Sequence, residues 1–239
     1  MTDSTTSPAL DNDNALNELK NQLTSTSEKT QLQAIAQLSE AGEAGLELLQ
    51  GFLLERRPAE PTVASGKAYQ VLYNAEVPSA REFLQSHFPD GLIPLDGDGA
   101  IAFRDVQTHL AALEFQEADR LTVQTLCQLA GDAAQERKWL YFTEVDRIPS
   151  DALQTLDRLW RIYSEGKFGF SVQREIWLGV GKNWDKMWPK IGWKEGNHWT
   201  RYPNGFTWDL SAPKGHLPLS NQLRGVRVIE RLLSHPAWE

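Results

Sequence analysis

From residue 13 to about 87, apolar side chains recur at three- and four-residue spacings. Leu16, Leu19 and Leu23 fall at i, i+3 and i+7, as do Leu46, Leu49 and Leu53, and Leu32, Ile35 and Leu38 keep the same period. That spacing puts each set on one face of a helix. Glycines at 42, 45 and 51 and prolines at 58, 61 and 78 punctuate the pattern. It therefore predicts four or five short helices, packed as a bundle or a HEAT-like stack. Residues 1–12 lack the pattern and read as a disordered tail. The stretch His-Phe-Pro-Asp-Gly-Leu-Ile-Pro-Leu-Asp-Gly-Asp-Gly that starts at His87 is dominated by Gly, Pro and Asp. It marks a boundary between a first domain, 1–90, and a second, 91–239. The repeated Asp-Gly at 96–99 is read as a turn and not a calcium loop. The sixth position from Asp96 is Ile101 where such loops need Gly, and the twelfth is Gln107 where they need Glu.

The second half is also helical in pattern. Val106, Leu110 and Leu113 predict one helix. A second runs from about Glu117 through Leu126 and Leu129 to Gly131. Residues 138–148 fit a short strand or a turn of helix. Pro149 and Ser150 open the next helix, with Ser150 or Asp151 as its cap. Leu153, Leu156, Trp160 and Tyr163 form its buried stripe, and Gly166 ends it. Ser171–Leu178 reads as helix. The Pro-Asn-Gly at 203–205 predicts a turn closing a small hairpin between Tyr202 and Phe206. The final helix spans about Ser220 to Ser234. Leu223, Val226, Ile229 and Leu233 lie on one stripe, and Asn221, Arg224, Arg227 and Arg231 on another.

Between Trp177 and Trp208 lie six of the nine tryptophans, interleaved with lysines, glycines and prolines. Flat rings on irregular backbone beside cations suit a flat, apolar, anionic ligand. The rings alone favour a plainer role, a Trp-rich core that pins loops down. Charge sharpens the choice. The chain carries a net −8, yet residues 167–231 hold eleven of the 24 Lys/Arg and only five of the 32 Asp/Glu. A basic region in an acidic chain points to a local anionic ligand, and the acidic remainder repels a long polyanion.

Other chemistries lack their signatures. Cys127 is the single cysteine and reads as a core residue, so neither a disulfide framework nor a cysteine zinc site is expected. The five histidines show no zinc-helix spacing, and there is no Gly-x-Ser-x-Gly elbow. Gly181-Lys182 is followed by Asn183, which spoils a phosphate loop. No run is apolar enough to span a bilayer. The acidic, polar start resembles neither a secretory signal nor an organelle transit peptide, and a cytoplasmic setting is expected. What remains is the arginine stripe. Guanidinium forks grip carboxylates two hydrogen bonds at a time, and forks a turn apart on one helix suit a ligand with two carboxylates.

Four motifs carry a resemblance. They are Leu113–Gly131 (LEFQEADRLTVQTLCQLAG), Leu153–Gln173 (LQTLDRLWRIYSEGKFGFSVQ), Lys167–Trp177 (KFGFSVQREIW) and Ser211–Gly225 (SAPKGHLPLSNQLRG). Over residues 105–238 the chain resembles the genomes-uncoupled porphyrin-binding family, accessory proteins of magnesium chelatase in chlorophyll synthesis. The first domain resembles the extra helical domain of cyanobacterial members. The resemblance implies an all-α fold, a helical bundle plus a core shaped like a cupped hand. It implies binding of protoporphyrin IX and Mg-protoporphyrin IX without a catalytic cofactor, and partnership with the porphyrin-handling large subunit of the chelatase. It further implies no chemistry of the chain's own, and it is compatible with peripheral association at photosynthetic membranes. By motif context Asn221, Arg224 and Arg227 match the polar porphyrin contacts, and Arg120 is a further match. The tryptophan that packs on the ligand is Trp193 or Trp199, with Trp199 preferred. The resemblance favours water or no ligand on the porphyrin's metal over His198 or His216, and it turns the hairpin at 193–208 into an irregular loop. Two rival readings stand beside it. One is a module that binds single-stranded nucleic acid through aromatics among cations. The other is an enzyme acting on a carboxylated aromatic substrate.

Overall fold

The computed structural model describes residues 8–95, 100–220 and 225–239, with the side chains of 8–13 excepted. Among the described residues the regular structure is helical, apart from one short hairpin of two-residue strands. It divides into two compact units, 1–92 and 93–239.

The first unit holds five helices, α1 (Pro8–Leu23), α2 (Glu28–Glu40), α3 (Gly42–Arg56), α4 (Val63–Asn74) and α5 (Pro78–His87). The helix begins at Pro8, so residues 8–12 are part of α1 and not a tail; residues 1–7 lie outside the described residues. Each helix packs on its neighbour, and α1, α2 and α3 also meet the helix after next. That is the geometry of a helical repeat stack. Its core is the predicted leucine face: Ile35, Leu38, Leu49 and Leu53 are buried together with Ala64 and Leu72. The starts of α2 and α4 are capped by Ser27 and Thr62, whose hydroxyls accept from Thr30 N and Ser65 N. Gln31 closes the α1–α2 turn by donating to the Leu23 and Ser25 carbonyls at 3.1 and 2.7 Å. Gly45 is where α3 meets the end of α2: a Cβ there would sit 2.0 Å from the Leu38 carbonyl oxygen. Gly45→Ala is therefore expected to cost this unit about 1–3 kcal/mol through overpacking. A lowered urea midpoint would show it; an unchanged midpoint would mean the turn relaxes freely.

The second unit contains α6 (Ala100–Ala111), α7 (Phe115–Ala130), α8 (Asp132–Arg137), α9 (Phe142–Val145), α10 (Ser150–Ile162), α11 (Phe170–Gly179), α12 (Trp184–Lys190) and α13 (Arg227–Leu233). Leu113 is not in a helix: it turns the chain between α6 and α7 at φ 62° and is exposed. Residues 138–148 form a turn of helix, α9. Pro149 itself caps α10 without a side-chain bond. Asp151 instead accepts from Ala152 N at 2.9 Å.

The α10 stripe is the core. Leu153, Leu156, Trp160 and Tyr163 are wholly buried. The polar tips of its two large rings find partners, as buried Trp and Tyr require. Trp160 Nε1 donates to Thr122 Oγ1 on α7 at 2.9 Å, and the Tyr163 hydroxyl donates to Gln107 Oε1 on α6 at 2.9 Å. Gln107 also accepts from Ile93 N and donates to Ile93 O. It thereby ties the entry of this unit to α6. Gly169, at φ 133°, lets α11 start against α10: its missing Cβ would lie 2.7 Å from Asp157 Oδ1, which accepts Ser171 N at 2.8 Å.

Candidate functional site

The segment after α12 is irregular but heavily tied. Its hairpin pairs β1 (Lys194–Glu195) with β2 (His198–Trp199), Lys194 opposite Trp199. The turn therefore falls at Gly196–Asn197 and not at Pro203–Gly205, which instead make a separate loop turn with Gly205 N bonded to Arg201 O at 2.8 Å. His216 is the hub beneath. Its Nδ1 is 2.6 Å from the Ile191 carbonyl, its Nε2 accepts Thr207 N at 3.2 Å, and its own carbonyl accepts Trp193 Nε1 at 2.8 Å. Burial holds the His216 imidazole below its ordinary pKa, partly opposed by the Ile191 bond. With both ring nitrogens engaged it is a structural residue and not a metal ligand, while His198 is exposed on the hairpin. Gln173, on α11, donates to the Gly215 and Pro218 carbonyls and fastens the far end of the segment.

Four of the nine tryptophans form a stack. Trp177, Trp184, Trp188 and Trp193 succeed one another at centroid distances of 5.1, 5.0 and 5.6 Å, with interplanar angles of 27°, 18° and 9°. Trp199 meets Trp188 edge-on at 5.6 Å. Lys182 and Lys194 lie over the rings of Trp177 and Trp199, so two of the interleaved lysines are spent on cation–π contacts. Trp193 is fully buried and has no face open to a ligand. Trp199 is half-buried and leans on the stack.

The ring stack is the keel of the site, and the open surface lies beside it. A cleft of about 800 Å³ runs between α7 and the 200–206 loop. Along α7 it is lined by Asp119, Arg120, Val123, Gln124 and Cys127, spaced as one helical face. Lys138 and Trp139, after α8, form one wall; Tyr202 and Phe206 form another, and Leu219 and Ser220 close the end. Trp139 packs edge-on to Tyr141 at 4.4 Å, and the Arg137 guanidinium lies over both rings at 4.6 and 4.3 Å. Phe206 touches Trp193 and His216, which join the cleft wall to the stack and hub. Aromatic and aliphatic carbon dominates this lining, with cations at the rim. Cys127 is buried in the α7 wall and its thiol is pushed up to about 11 by that burial, which keeps it protonated and unreactive.

The arginines are distributed differently from the predicted stripe. Gly225, at φ 91°, breaks the backbone, and the last helix starts only at Arg227. The single helix expected from Ser220 to Ser234 is therefore interrupted at Gly225 and Val226. Asn221, Leu223 and Arg224 lie outside the described residues. Arg227 is exposed, with its guanidinium over the Phe142 ring at 5.3 Å. Arg231 is held in a fork on Asp146, with one arm at 2.7 Å, and turns away from any ligand role. Arg120 does line the cleft. It is already paired, through Nη2, with Glu117 at 2.6 Å and bonded to Gln124 at 3.2 Å. An incoming carboxylate must compete with Glu117 for it.

Asp119, Lys138, Trp139, Tyr202 and Phe206 line the cleft without having been expected from the sequence. A signal was present for some of them. Arg120, Gln124 and Cys127 share one face of α7, and that face carries polar residues where a purely structural helix would be apolar. Among the described residues, no group of three or more His, Cys, Asp or Glu is placed to hold a metal ion, and no helix is long and apolar enough to cross a membrane.

A five-helix repeat unit followed by a helical unit with a tryptophan stack and an aromatic cleft defines the architecture. The chain belongs to the GUN4-like family, which residues 97–236 match, and residues 8–89 match the ARM-like repeat domain of the GUN4 N terminus. It is 52% identical over 224 residues to a Ycf53-like protein of Synechocystis sp., covering 93% of this chain and 96% of that one. It is 38% identical over 148 residues to the chloroplastic tetrapyrrole-binding protein of Arabidopsis thaliana, covering 58% of this chain and 56% of the relative. The structure of GUN4 from Chlamydomonas reinhardtii superposes with a TM-score of 0.55 at 41% identity, covering 62% of this chain and 96% of that structure.

Proposed function

We propose that the cleft between α7 and the 200–206 loop binds a tetrapyrrole, protoporphyrin IX or its magnesium complex. In this reading the chain is an accessory protein of magnesium chelatase. It presents porphyrin to the large porphyrin-handling subunit or withdraws product from it, and carries out no chemistry itself. The observation that carries the reading is the cleft. Its volume of about 800 Å³ lies within the range of small-molecule sites, roughly 300–1,000 Å³. Trp139 and Phe206 give it flat apolar walls, and Arg120 and Lys138 put cations at its rim. That is the pattern a macrocycle with apolar faces and two propionates needs. The name of the Arabidopsis relative agrees with it. Arg224, Arg227 and Asn221 join the site on the strength of the sequence motif.

The test is a fluorescence titration with protoporphyrin IX. The stacked tryptophans sit directly behind Phe206, so binding is expected to quench them saturably at micromolar concentration or below, about 8 kcal/mol of affinity. Absence of saturable quenching from folded protein would overturn the reading. Arg224→Ala and Arg227→Ala are expected to weaken binding by about 1–3 kcal/mol each, the value of a charge-assisted hydrogen bond. The porphyrin dimethyl ester is the control. Equal losses for ester and free acid would remove these arginines from the propionates.

A further inference from the structure

Among the described residues Asp119 is the one carboxyl group that lines the cleft, and it sits in the wall of α7 with 3% of its surface exposed. Its partner is the backbone N–H of Leu219, one hundred residues further on, which donates to Oδ1 at 2.6 Å. Among the described residues that is its only hydrogen bond. Beside it, Ser220 Oγ is buried at the same end of the cleft, with no hydrogen-bond partner among the described residues. A buried acid in an apolar wall is expected to have a cation or several donors, and among the described residues it has neither.

Among the described residues, no cation of the cleft lining is bonded to Asp119. On α7 itself, Arg120 is exposed and committed to Glu117, and the Cys127 thiol is protonated. Beyond α8 stands Lys138, exposed at the rim. The aromatic loop brings the exposed Tyr202, and the segment before Leu219 brings His216, whose two nitrogens are bonded elsewhere. From α6 comes His109, which is bonded to Glu114. None of these neutralises Asp119. Burial alone pushes its carboxyl up to about 7, against the lowering effect of the Leu219 N–H.

We infer that Asp119 makes ligand binding in this cleft proton-linked: when a dianionic macrocycle covers the cleft, Asp119 takes up a proton and is held neutral beneath it. The inference rests on the tetrapyrrole reading of the cleft. The physical steps are short. The ligand displaces whatever water reaches the carboxyl from the cleft, and it brings two negative propionates. Both effects disfavour the carboxylate. The neutral acid keeps an oxygen to accept the Leu219 N–H and no longer places a charge in the apolar wall. A proton taken up on binding makes affinity rise as pH falls, and the effect spans the interval between the free and bound pKa values. With the free group near 7, the expected gain in affinity from pH 8 to pH 6 is at most about tenfold.

The experiment uses the full chain and magnesium protoporphyrin IX, whose inner nitrogens carry no proton. Between pH 6 and 8 the propionates stay ionised. Binding of the wild type is measured at several pH values beside Asp119→Asn, a neutral isostere whose Oδ1 still accepts the Leu219 N–H. Protonation of histidines also favours an anionic ligand as pH falls, so the readout is the difference between the two proteins. The expected result is a wild-type affinity that rises several-fold more than that of the variant from pH 8 to 6. In calorimetry, wild-type binding at pH 7 in buffers of unlike ionisation enthalpy should show uptake of about half a proton that the variant lacks. Parallel pH profiles, or a wild-type affinity that rises with pH relative to Asp119→Asn, would overturn the inference. The second result would mean that the bound complex favours the carboxylate over the neutral acid. Should Asp119→Asn fail to fold, the calorimetric proton number of the wild type decides, because proton release or none at pH 7 contradicts uptake. Failure of either protein to bind the porphyrin at any pH would fall on the tetrapyrrole reading itself.

Discussion

Trp193→Ala is expected to lower the stability of the second unit by about 3–5 kcal/mol, the range for truncating a buried aromatic side chain. Several contacts converge on this ring. It is wholly buried, stacks on Trp188 at 5.6 Å and 9°, meets Phe206 edge-on and donates to the His216 carbonyl at 2.8 Å. Truncation leaves a cavity, an unpaired carbonyl and a Phe206 without support. Phe206 is a cleft wall, so porphyrin affinity should fall together with the thermal midpoint. Trp193→Phe separates the two causes. It keeps most of the packing but loses the indole N–H, and should cost about 1–3 kcal/mol. The check is urea unfolding followed by far-ultraviolet circular dichroism, which does not depend on the tryptophans themselves. If Trp193→Ala unfolds at the wild-type midpoint, the stack is not what secures the aromatic loop.

That expectation also shows what the sequence could and could not reveal. Six tryptophans among lysines were visible, and both readings of them were physically sound. In the structure four of the rings stack on one another, and the cleft is lined instead by Trp139, Tyr202 and Phe206. No periodicity distinguishes a ring that faces its neighbour from one that faces a void, because the backbone there is irregular and the choice is tertiary. Where the period is regular the reading held. The Leu153–Leu156–Trp160–Tyr163 stripe is buried as its spacing requires, and so are Ile35, Leu38, Leu49 and Leu53 in the first unit. The last helix failed for a local reason. Val226, Ile229 and Leu233 carry a helical period, and the reading extended it backward through Gly225. A glycine inside a helical pattern is ambiguous between a tolerated residue and a stop. Its φ of 91° makes it a stop, and the described helix begins only at Arg227. Asp119 was passed over for a different reason. On sequence it is one more acid on a helix, and its character comes from burial beside Leu219, one hundred residues away.

The largest functional effect is expected in a complete chelatase reaction. The protein alone, with protoporphyrin IX, Mg²⁺ and ATP, should form no magnesium porphyrin. Added to the chelatase subunits it should accelerate formation, most strongly when Mg²⁺ is limiting, because presenting porphyrin or withdrawing product shifts populations and does not alter the bond-making step. The decisive variant is one that closes the cleft without disturbing its support. Val123 lies on the α7 lining, away from the contacts of Trp193, Phe206 and His216. Val123→Trp would fill the space from that side while leaving the stack and the His216 hub in place. It should weaken porphyrin binding by at least tenfold, about 1.4 kcal/mol, and return the chelatase rate to nearly its unstimulated value at porphyrin concentrations that saturate the wild type. Arg224→Ala should give a graded version of the same loss. The two measurements, affinity and acceleration, should then fall on one line across the variants. If Val123→Trp binds porphyrin poorly yet stimulates fully, acceleration works through protein contact with the large subunit, and the cleft serves some other purpose. If the wild type binds porphyrin but leaves the complete enzyme of its own organism unchanged, the accessory role fails while the binding site stands.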